Sequence, residues 1–460
     1  WRNTVARYQC LQVCLEALKG EGAQGALGQR YALVKKIDGG GNHADAADIT
    51  IHHQHHDRHL GDEEKTMPSL LGVLQEHGTT KVDWLRSSYN LEVFKIATTQ
   101  SDGESVTIKY RIVLCMCHSV SDGPGTLAVA GYFLRQLGRV IADGSHRPEG
   151  GTECLKCIDL QAQILGHDYG AADDKVDCFV GADEALAALG SPDMKLEDGS
   201  NVLPPEAMQG ISKPDEGANA SGAIEAISIE LKKEETSRLL TNCKANQATI
   251  QGALNAAYAV VRLALLKHEL PCSVPLQIPM NCRRLAPSSN ATELADSCLC
   301  GSAGLWQILA VAKNDRMLSG LATKSSESMR AGANDGQPKE WLRRLFNDPA
   351  TMPPYGLMMS SIGVAPVTST YGDDSVAVED LIFFGGSKRP AAPSGNQATM
   401  AHVQTFDGRL HLTFNHVGVD FAFARRTADA IDELLRVFAG DEPDITVAEA
   451  MGKIASITNN

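Results

Sequence analysis

A two-lobed α/β protein, with mixed sheets covered by helices, is the fold class this sequence predicts, and three observations predict it. The chain's 460 residues exceed the roughly 250–300 that one hydrophobic core can serve, so more than one domain is expected. A strand, a polar turn and a helix follow one another between Val106 and Ile141. Between residues 145 and 225 the composition turns polar and rich in Gly, Pro and Asp, most strongly from Gly190 to Gly222, which reads as a linker. The expected division is an N-terminal lobe over residues 1–175, a linker over 176–222 and a C-terminal lobe over 223–460.

Residues 8 to 18 are predominantly apolar and are predicted as a helix, and Tyr31 to Ile37 as a strand. That strand ends at Asp38-Gly39-Gly40-Gly41-Asn42, where neither dinucleotide nor Walker spacing follows, so a hairpin turn is expected there rather than a phosphate loop. The run from His52 to His59 invites a metal, since neutral imidazoles ligate zinc, copper or nickel. No compact three-ligand set is forced by its spacing, and a solvated strand end and loop is the reading adopted. Val106, Ile108, Tyr110, Ile112, Leu114 and Met116 alternate and form one face of a strand. Leu127, Ala130, Phe133, Leu134, Leu137, Val140 and Ile141 recur at three and four residues, the stripe of a helix. Between them Asp122-Gly123-Pro124-Gly125 is read as a turn, with glycines free to take positive φ. Past the linker, Ile224 to Leu231 reads as a strand, Glu234 to Asn246 as a helix, and Ser325 to Lys339 as a surface loop.

The chemistry concentrates at Cys117-His118-Ser119-Val120-Ser121-Asp122-Gly123. A histidine at a strand exit, with a carboxylate four residues on, suggests a general base on a braced loop, because imidazole exchanges a proton near neutral pH. A Ser-His-Asp hydrolase is disfavoured, since no Gly-x-Ser-x-Gly elbow occurs anywhere in the chain.

His118-x-x-x-Asp122-Gly123 resembles the motif of the acyltransferase superfamily that includes chloramphenicol acetyltransferase, the BAHD acyltransferases, alcohol acetyltransferases and peptide-synthetase condensation domains. Four further stretches resemble that family in its order: Lys244 to Ala257, Leu276 to Arg284, Met358 to Gly363, and Asp407 to Asn415 with the Ala-rich segment after it. The resemblance implies a chloramphenicol acetyltransferase-like fold with a tunnel between the lobes. It implies His118 as general base, Asp122 as a structural brace, Arg283 as the partner of Asp122, and Ser360 or Ser361 facing the transfer site. Two departures mark the chain. Cys117 stands where condensation domains carry a second histidine, which argues against the amide-forming branch. Phe384-Gly385-Gly386-Ser387-Lys388-Arg389-Pro390 is a degenerate counterpart of the BAHD Asp-Phe-Gly-Trp-Gly signature.

Composition narrows the function further. A net charge of −14 disfavours nucleic acid as a partner. No run of about 18 apolar residues offers a membrane span. Twelve scattered cysteines fit reduced thiols in a cytosol or organelle interior better than a disulfide framework. Cys154 and Cys157 have metal-ligand spacing but no second pair at zinc-ribbon distance, so neither a metal nor a tightly bound cofactor is expected. The leading expectation is transfer of an acyl group from acyl-CoA, as co-substrate, to an alcohol. An amine acceptor, a carrier-protein-bound donor and a non-catalytic subunit of a larger protein complex stay open.

Overall fold

The computed structural model describes residues 13–17, 24–25, 28–29, 31–35, 49–53, 89–99, 106–116, 118, 121–144, 201–203, 225–285, 301–347, 357–383, 385, 400–416 and 421–458. The chain divides into two compact units. Unit 1 comprises Trp1–Leu160, Ser288–Gly301 and Pro366–Ile382, and unit 2 comprises Gln161–Pro287, Ser302–Ala365 and Phe383–Asn460. The units are therefore not successive halves of the chain.

In unit 1, strand β1 (Val13–Ala17) pairs antiparallel with β4 (Tyr31–Lys35), and β2 (Gln24–Gly25) with β3 (Gly28–Gln29). The helix predicted over residues 8 to 18 is corrected: its described part is β1, whose apolar residues take an extended partner within easy chain reach. The strand that leads to the motif belongs to a sheet of β5 (Ile49–His53), β6 (Tyr89–Thr99) and β7 (Val106–Met116), parallel between β5 and β6 and antiparallel between β6 and β7. His52 and His53 end β5, and the rest of the histidine run lies outside the described residues, as do Cys154 and Cys157.

Helix α1 (Gly123–Asp143) follows β7, as its apolar spacing predicts, but buries another face. Gly125, Val129, Tyr132 and Gln136 are buried with Leu127, Gly131 and Gly138, whereas Ile141 is 55% exposed. The two mid-helix glycines explain the difference. A Cβ at Gly131 would lie 2.9 Å from the Pro366 carbonyl oxygen, and one at Gly138 would lie 2.9 Å from the Gly372 nitrogen. Backbone from the hairpin of β13 (Thr370–Tyr371) and β14 (Val376–Ala377) thus lies directly on the helix. Hydropathy counts large side chains and overlooks such a seam. Gly123, Pro124 and Gly125 are also corrected: they form the first helical turn rather than a positive-φ turn.

Unit 2 is built on the sheet β11-β10-β12-β15-β16-β9, with β8 (Asn201–Val202) paired to β10. The remaining strands are β9 (Glu225–Leu231), β10 (Cys272–Asn281), β11 (Ser302–Val311), β12 (Leu357–Val364), β15 (Met400–Phe406) and β16 (Arg409–His416). β12 runs parallel to both β10 and β15, and the other neighbours of the main path are antiparallel. Inside the expected linker, β8 leads to Leu203, which is wholly buried in this core. Asp407 and Gly408, both at positive φ, close the β15–β16 hairpin, the pairing such a two-residue Asp-Gly loop favours.

Helix α2 (Lys233–Ala245) and helix α3 (Ile250–Leu265) precede β10, and α3 is buried on almost every side. Thr249 caps α3 by accepting the Gly252 N–H. Helices α4 (Thr323–Asn334) and α5 (Gln337–Asn347) occupy the stretch predicted as a surface loop. Its serines mislead: Ser325 and Ser326 are buried, and Ser326 bonds the Ala322 carbonyl and Thr249. A Cβ at Gly252 would overlap both Ser326 Oγ and the Ala322 oxygen, so only glycine lets the helices meet this closely. Helices α6 (Phe421–Phe438) and α7 (Val447–Thr458) complete the core. No helix among the described residues is long and apolar enough to cross a membrane.

Candidate active site

β7 delivers the chain to His118, which lies exposed in the turn before α1. Both faces of the strand are covered near this end: Val113 is buried on one, while Leu91 and Tyr89, opposite Leu114 and Met116, are buried on the other. Tyr110, on the face expected to be buried, is half exposed. Cys117 lies outside the described residues, and Gly123 is the first residue of α1.

Asp122 is 2% exposed and does two backbone tasks. Its Oδ1 accepts the Gly125 N–H at 2.9 Å, capping α1, where a carboxylate also meets the positive end of the helix dipole. Its Oδ2 accepts the Gly301 N–H at 3.0 Å. Ser121, buried beside it, donates to the Asp122 carbonyl and shares a hydrogen bond with Thr126. The turn is thus fixed at its helical end by a cap and at long range by Gly301. Gly301 was missed by sequence reasoning, since nothing in a glycine 179 residues downstream marks it as a donor.

In unit 2, β10 ends at Asn281 and a 3-10 turn, Arg283–Leu285, follows. Arg283 is 6% exposed, and Asn281 Oδ1 accepts both its backbone N–H at 3.0 Å and its Nη1 at 3.3 Å. Cys282 beside it is buried, its thiol donating to the Met280 carbonyl.

Ser360 and Ser361 are consecutive on β12, so their side chains leave opposite faces of the sheet. Ser361 shares its face with Met359 and pairs with Val403, both within the core beneath the helices. Its Oγ accepts the Gly363 N–H at 3.4 Å, where the strand shifts register and Gly363 takes a φ of 78°. Ser360 lies on the other face, beside His402 of β15, which in turn pairs with Thr413 of β16. His402 and Thr413 are buried. The His402 ring meets Phe383 edge-on at 5.4 Å, and its Nε2 accepts the Gly385 N–H at 3.2 Å. A Cβ on Gly385 would fall 2.8 Å from that nitrogen, so glycine is required. His402 carries no sequence signal beyond being a histidine in an alternating strand.

A cleft of about 400 Å³ in unit 1 is lined by Arg135 and Arg139 but also by Asp143 and Asp373, and so is not a purely basic cradle. Burial pushes the Cys243 thiol up to about 12 and the Cys272 thiol to about 11, which makes both inert as nucleophiles.

The architecture matches known folds over nearly its full length. A trichothecene 15-O-acetyltransferase from Fusarium sporotrichioides superposes with a TM-score of 0.64 at 14% identity, over 95% of this chain and 84% of that one. The condensation domain of the Monacolin K polyketide synthase gives 0.57 at 14% identity, over 97% and 89%. The polyketide synthase associated protein 5 from Mycobacterium tuberculosis gives 0.53 at 13%, over 96% and 89%. The chain has the chloramphenicol acetyltransferase-like fold that these acetyltransferase and condensation-domain structures share. Residues 220–415 match the family described as the C-terminus of phthiocerol/phthiodiolone dimycocerosyl transferase. No curated protein sequence matches the chain.

Proposed function

We propose that this protein transfers an acyl group from an acyl thioester, acyl-CoA, to an alcohol, with His118 as the general base. The observation that carries the reading is Asp122: a buried carboxylate spending both oxygens on backbone N–H groups steadies the turn that presents His118. In the proposed reaction the acceptor hydroxyl gives its proton to the His118 imidazole as its oxygen attacks the thioester carbonyl. The tetrahedral intermediate then collapses, the carbon–sulfur bond breaks, and the CoA thiolate takes the proton back. Ser360 is the proposed donor to the oxyanion, and its face, shared with His402 and Thr413, suits it better than that of Ser361. Pairing of Arg283 with Asp122 is part of the proposal, a guanidinium and a carboxylate giving a directional hold.

The test is product identification by mass spectrometry with a panel of acyl-CoA esters and alcohols, using the wild-type protein and His118→Ala. Ester formed by the first and absent with the second supports the reading. Turnover only with a carrier-bound thioester or an amine would replace the donor or the acceptor. No turnover with any donor, together with stable co-purification in a larger assembly, would replace the enzyme by a scaffold.

A further inference from the structure

β12 is paired with β10 only at Leu357 and Met358, opposite Leu276 and Gln277. Yet β10 continues to Asn281 and β12 to Val364, so past Met358 the paired neighbour of β12 is β15 alone among the described strands. Met359 is the first residue beyond the lost ladder, and its carbonyl receives Gln251 Nε2 from α3 at 3.3 Å.

Gln251 does not act alone. The same Nε2 donates to Asn255 Oδ1 at 2.8 Å, and Asn255 Nδ2 donates to Ser325 Oγ of α4 at 3.0 Å. Ser325 Oγ also receives Gln307 Nε2 of β11 at 2.7 Å. A continuous polar chain thus crosses the apolar layer under the sheet, from β11 through α4 and α3 to the backbone of β12. Asn255, Ser325 and Gln307 are all buried. Such a chain adds little net stability over apolar groups of the same shape, whereas one missing member leaves a costly unpaired group. What it supplies is direction. Its anchor is firm, because the Thr249 cap, Ser326 and the close contact at Gly252 fix the first turn of α3, where Gln251 stands.

We infer that Gln251 is a positioning residue: its amide fastens β12 to α3 at the point where β10 lets go, and so sets the backbone of the adjacent Ser360. The role in transfer rests on the reading of Ser360 proposed above. The mechanical role does not. Both oxygens that face Gln251 Nε2 are acceptors, so a donor is required and bulk alone does not serve.

Amide hydrogen exchange on the peptide spanning residues 357–364, read with the melting temperature, tests this in the full chain. Gln251→Leu and Gln251→Glu should raise exchange at Ser360 to Val364 about tenfold, with exchange across β15 and β16 unchanged. Gln251→Lys, which again offers a donor to both oxygens, should restore protection. Unchanged exchange in Gln251→Leu, or failure of the lysine to restore it, would overturn the inference. So would an acceleration spread evenly over unit 2 and matched by the fall in melting temperature. With acetyl-CoA as donor, Gln251→Leu should lower kcat and leave KM for acetyl-CoA unchanged, since misplacement by about 1 Å costs on the order of 10²-fold. A wild-type protein that transfers nothing from any acyl-CoA ester of the panel sinks the acyl-CoA reading, while the exchange pattern still decides whether Gln251 holds the strand.

Discussion

At the scale of single residues, His118 and Asp122 divide the labour between exposure and burial. His118→Ala should lower acyl transfer by about 10²–10⁴ with little change in melting temperature, because an exposed turn residue buries little surface. Wild-type turnover in that variant would remove His118 from the mechanism. Asp122→Ala should instead destabilise the fold, since the lost cap alone is worth about 0.5–2 kcal/mol and the Gly301 N–H loses its acceptor as well. Should Arg283 pair with Asp122, the double variant Asp122→Ala/Arg283→Ala will be no worse than the poorer single one, and additive losses in that cycle would separate the two residues. These residues were legible because a histidine and a carboxylate four apart at a strand exit form a local pattern. Gln251, Asn255 and His402 were not. Each gains its meaning from a neighbour distant in sequence, and glutamine on a helix or histidine on a strand is ordinary in isolation.

Elements were legible where large apolar side chains set the period and illegible where small or polar residues make the contact. β7, β9, β10, β12 and β16 fall where alternation or motif places them, and α2 closely follows its predicted span. The described part of the 8–18 segment is extended because its partner is β4, information a window of eleven residues does not contain. The segment at 325–339 looked like a loop because serine and glycine are poor helix formers, yet packing against α3 overrides propensity. The glycine seam on α1 yields a sign test. Gly→Ala inside an exposed helix ordinarily stabilises by roughly 0.5–1 kcal/mol, but Gly138→Ala should destabilise because its Cβ meets the backbone of Tyr371 and Gly372. A higher denaturation midpoint would show that the hairpin does not sit on the helix. In α5, burial would raise the Glu340 carboxyl, but hydrogen bonds and attraction from Arg343 and Arg344 outweigh it and hold it below the usual range. A depressed native value stabilises above the unfolded pKa, near 4.3, and is lost as pH falls through the native one. Glu340→Gln should therefore melt lower than wild type at neutral pH and converge with it in acid. A difference independent of pH would assign the loss to packing instead.

For the whole molecule the decisive quantity is donor binding. Acyl-CoA should raise the melting temperature, because a ligand that binds only the native state stabilises it by mass action, and the effect should weaken with salt as the coenzyme phosphates are screened. No shift at millimolar acyl-CoA would favour a carrier-bound donor or a scaffold. Chelation should leave activity intact, and stoichiometric zinc whose removal abolishes transfer would overturn that expectation. That the chain forms two units was legible from its length, whereas the mosaic of segments was not, since no local property of residues 366–382 assigns them to the first unit and the expected linker over 176–222 falls within the second.

That mosaic has a consequence for how the protein is made. The first unit draws on residues as late as Ile382, and its motif aspartate meets the Gly301 N–H only after 179 further residues have been synthesised. At about 5–20 residues per second a ribosome needs roughly 9–36 s to cover that distance. Throughout this interval one oxygen of Asp122 lacks the Gly301 amide. The turn that carries His118 therefore gains its long-range anchor late in biosynthesis, and the nascent N-terminal segment is the species that chaperones would meet.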